Sequence, residues 1–381
     1  MKINRFLYFM SAFFAANFIL VSVNIGAPLH ANVEDSKHSQ IDKTPALSSY
    51  PVEIADLIYA NTKDLPNHTQ LSIALVHDNQ TTFYGIMIEN DSVKPADNQG
   101  KVFEAGSITK VFTSTLLASL VNEGEIRLND SINPYYPYPF KEHRRITFLT
   151  LANHTSGLPR LPDNLDLSEA SNPYLNYTEK ELAAYLKSIM ALEHEPSETY
   201  SYSNLGAGLL GYTLGLSQGT SFKELIQKRV FDRYGMTASF TRSADAGERL
   251  VKGLNALGDT TSNWDFDVLA GGGCVLSTTA DLARFAMAQF NPENSELALT
   301  RIPTFTVHET MKIGLGWHIL QSEAGQELFW HNGGTGGYSS SIAINVADKV
   351  AVVILSNVSA FHSVSGNIDR LCFELIRNLK L

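Results

Sequence analysis

Three short stretches of this chain carry side chains that could do chemistry together. The first is Phe103-Glu104-Ala105-Gly106-Ser107-Ile108-Thr109-Lys110. Ser107 and Lys110 stand three residues apart, and residues at that spacing share a face on a helix. A serine hydroxyl is a weak nucleophile until a neighbour takes its proton. The Lys110 ammonium can reach that hydroxyl. A serine at a helix start can also be a plain N-cap, so this tetrad, the one Ser-x-x-Lys of the chain, gains its meaning from what lies downstream.

The second stretch is Tyr202-Ser203-Asn204, on a loop that runs straight into the apolar residues 205–211. A phenol beside a lysine has its ionised form stabilised and can then serve as general base. The Asn204 amide can donate and accept at once. Tyr59-Ala60-Asn61 and Tyr174-Leu175-Asn176 spell the same pattern, so context alone singles out Tyr202. The third stretch is His331-Asn332-Gly333-Gly334-Thr335-Gly336-Gly337-Tyr338, at the end of an expected strand. Glycines after a strand let a ligand backbone come close. The N–H groups of Ser107 and Gly334 could then form an oxyanion hole. A tight turn would also account for the glycines. Histidine changes charge near neutral pH. His331 is therefore expected either as a switchable cation for a substrate carboxylate or as a neutral hydrogen-bonding residue.

The elements that must position these groups can be read from apolar periodicity. Residues 108, 111, 112, 116, 117, 120 and 121 are apolar and Gly124 follows, which predicts an amphipathic helix with Ser107 at its start. Its N-terminus would favour a developing oxyanion. Leu71–His77 and Thr82–Glu89 read as a hairpin. Helices are expected at 178–192, 204–216, 221–234 and 279–290. Strands follow at 313–320, 326–331, 339–346 and 350–357, then a closing helix at 364–379. Strands thus occupy both ends of the chain and helices the middle. The expected fold is α/β: an antiparallel sheet flanked by helices, built from residues 51–110 and 300–381, with a mostly helical domain, 111–299, inserted.

The chain has 381 residues, 44% of them hydrophobic, and a formal net charge of −10. That is enough for a sizeable core, and the acidic balance argues against nucleic acid as partner. Residues 1–31 read as a signal peptide: Lys2 and Arg5, an apolar run from Phe6 to Val23, and a cleavage zone from Ala27 to Ala31. An uncleaved anchor is the alternative, and membrane contact would follow only in that case. Residues 32–50 read as a flexible lead-in. Cys274 and Cys372 have apolar neighbours and are expected as buried free thiols. No histidine and carboxylate cluster has metal spacing, so neither metal nor cofactor is expected. Gly206-x-Gly208-x-x-Gly211 spells a dinucleotide fingerprint, but no strand precedes it.

In that order, Ser-x-x-Lys, Tyr-x-Asn and His-x-Gly resemble the serine β-lactamase and penicillin-binding protein superfamily. The chain looks most like the branch of class C β-lactamases and D-Ala-D-Ala carboxypeptidases. The stretches His154-Thr155-Ser156-Gly157-Leu158, Gly271-Gly272-Gly273-Cys274 and Gly314-Leu315-Gly316-Trp317 also match. The resemblance implies a β-lactamase/DD-peptidase-like fold and an acyl-enzyme mechanism. Ser107 would be the nucleophile, and Lys110 and Tyr202 would relay its proton. Asn204, His331, Gly333 and Gly334 would bind the substrate, a small peptide, β-lactam or ester. An esterase or D-aminopeptidase of the same fold, or a β-lactam-binding sensor without turnover, is the alternative.

Overall fold

A computed structural model of the protein describes residues 47–321 and 325–379. The expected signal segment, 1–31, and most of the lead-in lie outside the described residues.

Nine strands form one antiparallel sheet in the order β3-β2-β1-β11-β10-β9-β8-β7-β6. From the N-terminal part come β1 (Gln70–His77), β2 (Gln80–Glu89) and β3 (Ser92–Pro95). From the C-terminal part come β6 (Phe305–His308), β7 (Met311–Ile313), β8 (His318–Gln321), β9 (Glu327–Gly334), β10 (Ser339–Asn345) and β11 (Val350–Ser356). The two parts meet where β1 pairs with β11, Ile73 opposite Ile354. A separate pair, β4 (Phe103–Glu104) with β5 (Leu276–Ser277), ties the stretch before Ser107 to the middle of the chain.

Five helices of ten residues or more are described: α1 (Val52–Thr62), α2 (Thr109–Asn122), α3 (Asn204–Gln218), α4 (Thr279–Ala288) and α5 (Asn367–Asn378). The sheet divides them by side-chain alternation. Leu71, Ile73, Leu75, Val352 and Ile354 face one core together with Ile368, Leu371 and Leu375 of α5. Ala74, Val76, Ala351, Val353 and Leu355 face the other, with Val111, Phe112, Leu116 and Leu120 of α2. Cys274 belongs to the second core and Cys372 to the first, both as free, buried thiols.

Three expected elements differ in detail. The strand expected at 313–320 is two strands, β7 and β8, because a turn interrupts it: Gly314 N–H donates to the Trp317 carbonyl (2.9 Å), and Gly316 takes φ +74°. A side chain at Gly316 would press on the Lys110 carbonyl (2.7 Å), so this turn packs directly against α2. The helices expected at 178–192 and 221–234 are α-helical only over Glu179–Ala184 and Phe222–Ile226, and each widens to a π-turn, ending at Ile189 and Phe231.

Candidate active site

Ser107 sits in a single 3-10 turn, Gly106–Ile108, that leads into α2. No side chain caps either helical start, so the Ser107 hydroxyl is not consumed as an N-cap. Of residues 102–110, Ser107 alone keeps partial exposure. The reactive atom reaches solvent while its support is buried.

Lys110 is buried one turn on, and its Nζ makes three hydrogen bonds: as a neutral amine it donates to Asn204 Oδ1 (2.9 Å) and the Gly272 carbonyl (2.7 Å) and accepts from the Ser107 hydroxyl (2.9 Å). Burial, then the nearby Arg160 charge, holds its amine well below the usual lysine range. A buried ammonium without a carboxylate partner is costly, so the neutral amine is favoured. The glycines of α3 explain how Gly272 gets there. A side chain at Gly208 would press on Leu269 (2.7 Å), and one at Gly211 on Gly271 Cα (2.8 Å). Of the fingerprint-like glycines, 208 and 211 thus form a close-packing surface for residues 269–271, while Gly206 lies against Ser203 and Leu151.

Tyr202 lies among cations and imidazoles. Lys110 Nζ is 4.9 Å and Arg160 Cζ 5.2 Å from its ring centroid. The His154 ring is 4.5 Å away, His331 6.2 Å and His318 6.4 Å. Burial pushes the Tyr202 phenol up to about 12, against the pull of a hydrogen bond with Ser107 and the Arg160 charge. Burial therefore favours the protonated phenol at Tyr202 over the phenolate.

The loop 154–160 clamps this motif. Ser203 N–H donates to His154 Nδ1 (3.2 Å), Ser203 Oγ to the Pro159 carbonyl (2.6 Å), and Asn204 N–H to the Arg160 carbonyl (3.0 Å). Asn204 Nδ2 reaches the hydroxyl of Tyr174 (3.4 Å). Tyr174, one of the competing Tyr-x-Asn tyrosines, thus stands on the cleft wall, stacked on Phe266 (4.6 Å) and beside Trp264 (5.4 Å). Tyr59 is on α1, packed against the opposite core.

The sheet wall is the end of β9. Its partner β8 stops opposite Trp330, so beyond that point β9 has only β10 beside it. Phe329 belongs to the α2-side core and Trp330 to the other. Alternation then turns His331 and Gly333 toward the cleft and Asn332 away, where its amide bonds Asp369 of α5 (2.7 Å). Gly333 could not carry a side chain, because it would collide with the Ala105 carbonyl oxygen, and one at Gly106 (φ +52°) would press on Gly334 N (2.6 Å). Gly106, Ser107, Tyr174, Asn204, Trp264, Phe266, Gly272, Gly334 and Thr335 all line one cleft.

His331 is fully buried, and its Nδ1 is 2.6 Å from the Asn332 carbonyl. That bond needs hydrogen on Nδ1, which leaves Nε2 as an acceptor. Nε2 has no hydrogen-bond partner among the described residues. Burial, then the neighbouring His318 and Lys110, holds the imidazole well below its usual range. Of the two readings of His331, these surroundings favour the neutral, hydrogen-bonding one.

Four contributors escaped the sequence reading. Glu104 is buried and accepts from Asn263 Nδ2 (2.7 Å) and Trp264 N–H (2.9 Å), holding the aromatic wall against the stretch before Ser107. The others are the Gly272 carbonyl, the Tyr174–Trp264–Phe266 wall and Arg160. No local pattern marks a carbonyl or a lone charge, although Arg160 closely follows the matched stretch 154–158.

A half-exposed serine bonded to a buried lysine amine, against the open edge of an antiparallel sheet, defines a serine hydrolase. The family model described as Beta-lactamase matches residues 62–370, and the chain belongs to that family. It is similar to the D-alanyl-D-alanine-carboxypeptidase/endopeptidase AmpH of Escherichia coli (strain K12), with 26% identity over 341 residues, 82% of this chain and 86% of that protein. A Beta-lactamase of Pseudomonas fluorescens is 23% identical over 350 residues, 79% of this chain and 94% of that one. Among solved structures, a class C beta-lactamase shares the fold with a TM-score of 0.73 at 21% identity, covering 90% of this chain and 99% of that one.

Proposed function

We propose that this serine hydrolase is exported and acts through an acyl-enzyme on D-Ala-ending peptides or β-lactams. The observation that carries the reading is the 2.9 Å bond between Lys110 Nζ and Ser107 Oγ, made by an amine that burial favours in its neutral form. Ser107 Oγ attacks the substrate carbonyl carbon as its proton passes to Lys110. The oxyanion is met by the N–H groups of Ser107 and Gly334. Tyr202 delivers its proton to the leaving nitrogen as the C–N bond breaks and is reprotonated by the Lys110 ammonium. A water then attacks the Ser107 ester; its proton passes through Tyr202 and Lys110 to Ser107 Oγ as the acyl C–Oγ bond breaks, which releases the acid product and restores the serine. Asn204, His331 and Gly333 shape the cleft around the substrate. Support for the substrate class comes from the carboxypeptidase and β-lactamase names of the relatives. Export rests on residues 1–31 alone.

A second reading has its own observation. A neutral His331 offers no charge to a substrate carboxylate, which favours esters or D-aminoacyl amides.

The test uses purified protein with a fluorescent penicillin, a D-Ala-D-Ala peptide, a D-aminoacyl anilide and a p-nitrophenyl ester. Wild type should label and turn over, and Ser107→Ala should do neither. Its fold should survive, since even a lost helix cap costs only about 1 kcal/mol. Labelling that persists in Ser107→Ala would falsify the nucleophile assignment. Label that stays on the wild type would instead indicate a sensor without turnover.

A further inference from the structure

Both motif bases, Lys110 and Tyr202, sit in a buried setting where nearby charge decides which of their forms prevails. The groups that face them are Ser107 on the turn before α2, His154 and Arg160 on the clamp loop, and Tyr174 on the cleft wall. Tyr200 precedes the motif, Asn204 opens α3, and His318 and His331 come from β8 and β9. No carboxylate stands among these groups. The three histidines are all held below their usual range, chiefly by burial. A guanidinium, by contrast, keeps its proton throughout the working range of an enzyme. Arg160 is therefore the fixed charge in this set.

Its position is fixed as well. The Arg160 carbonyl accepts from Asn204 N–H (3.0 Å) and Leu205 N–H (3.2 Å), the first residues of α3. The neighbouring Pro159 carbonyl accepts from Ser203 Oγ (2.6 Å). The main chain thus locks residue 160 to the Tyr202–Asn204 motif, and the guanidinium lies over the Tyr202 ring at 5.2 Å.

We propose that Arg160 is a positioning residue for the acylation step, whose fixed positive charge keeps Lys110 ready to accept the Ser107 proton near neutral pH. The electrostatics agree in sign at both partners. After burial, Arg160 is the charge that lowers Lys110, and it also lowers Tyr202 against its burial. A positive neighbour disfavours the ammonium and favours the phenolate, so both effects promote the proton-accepting form. The proposal rests on the reading that Ser107, Lys110 and Tyr202 form the relay.

The experiment measures kcat/KM against pH from 5 to 10 with a neutral activated ester, so that carboxylate binding cannot enter. The proteins are wild type, Arg160→Gln, Arg160→Met, Arg160→Lys and Ser107→Ala. When acylation limits, kcat/KM reports the free enzyme's ionisations. Arg160→Gln and Arg160→Met should move the acid limb upward by about one pH unit or more. Below the limb that is about a tenfold loss per unit, recovered at high pH, and Arg160→Lys should return the limb toward wild type. An unmoved limb in the two neutral variants overturns the proposal, whether their rates are wild-type or uniformly reduced. The main-chain clamp does not depend on the side chain, and thermal melting shows which variant is folded for the comparison. Turnover of the ester by Ser107→Ala would overturn the underlying relay instead, an outcome separate from a limb that fails to move.

Discussion

The two walls of the cleft are built on opposite plans. On the helical wall every motif side chain is already engaged: Lys110 makes three hydrogen bonds, Asn204 is held at both ends of its amide, and Ser203 is tied twice to the clamp loop. On the sheet wall the strand edge is open beyond Trp330, and His331 Nε2 has no partner among the described residues. The difference separates two tasks. Proton transfer needs groups fixed before the substrate arrives, whereas binding needs donors and acceptors that only the substrate satisfies. The helical wall should therefore control rate, and the sheet wall should control which molecule is accepted.

The largest test of that contrast is Tyr202→Phe against Tyr174→Phe. Tyr174 lines the cleft, but it is Tyr202 that bonds Ser107. Removing the Tyr202 hydroxyl should lower acylation by about 10²–10⁴-fold, the usual weight of a proton-transfer group. Tyr174→Phe removes one long hydrogen bond, 3.4 Å, to Asn204 and should cost less than about tenfold. Stopped-flow acylation rates decide, and a crippled Tyr174→Phe would put the relay on the wrong tyrosine.

The helical wall was the more legible of the two in the sequence. Ser107 and Lys110 are local to one helix, so spacing alone brings them together, and periodicity places that helix. The sheet from both chain ends was legible for a similar reason, since alternation along β1 and β11 marks two buried faces. The sheet wall could be read as a motif but not as a state: His331 is recognisable, while its charge depends on burial beside His318, 13 residues away in sequence. Glu104, the Gly272 carbonyl and Arg160 were hidden because their partners lie 159, 162 and 44 residues away. No periodicity reports such pairings. The interruption of the 313–320 strand was missed because Gly314 and Gly316 were read only as a matching pattern and not as a turn.

A smaller effect is expected where the walls meet. Burial pushes the Glu104 carboxyl up to about 7, with the hydrogen bonds from Thr335, Asn263 and Trp264 opposing. An unfolded glutamate titrates near 4.3. Between these values the folded state binds more protons than the unfolded one, so the Glu104 contribution to stability falls as pH rises through this window. The depressed histidines 154, 318 and 331 act in the opposite sense, and their contribution is lost as pH falls below about 6.5. The wild-type profile sums these slopes, so the informative quantity is a difference. Relative to wild type, Glu104→Gln should gain about 1–3 kcal/mol between pH 5 and 8 in denaturant unfolding. A constant difference across that range would mean that Glu104 does not titrate there.

The smallest effect belongs to the sheet wall and is the sharpest test of what it binds. If His331 carried a switchable charge, kcat/KM for a carboxylate-ended substrate relative to a neutral ester would fall as pH rises through about 6.5. Its environment argues otherwise. The ring is fully buried, Nδ1 is occupied at 2.6 Å by the Asn332 carbonyl, and among the described residues no carboxylate acts to favour a proton on the ring. The Lys110–Tyr202 relay serves both substrates and should largely cancel in the ratio. The ratio should therefore stay level within about threefold from pH 5.5 to 8, with the imidazole neutral throughout. His331→Gln, which keeps an acceptor, should leave its pH dependence unchanged. A tenfold fall centred near 6.5 that disappears in His331→Gln would restore the charged histidine. It would also show that this wall, although buried, is tuned by solvent protons after all.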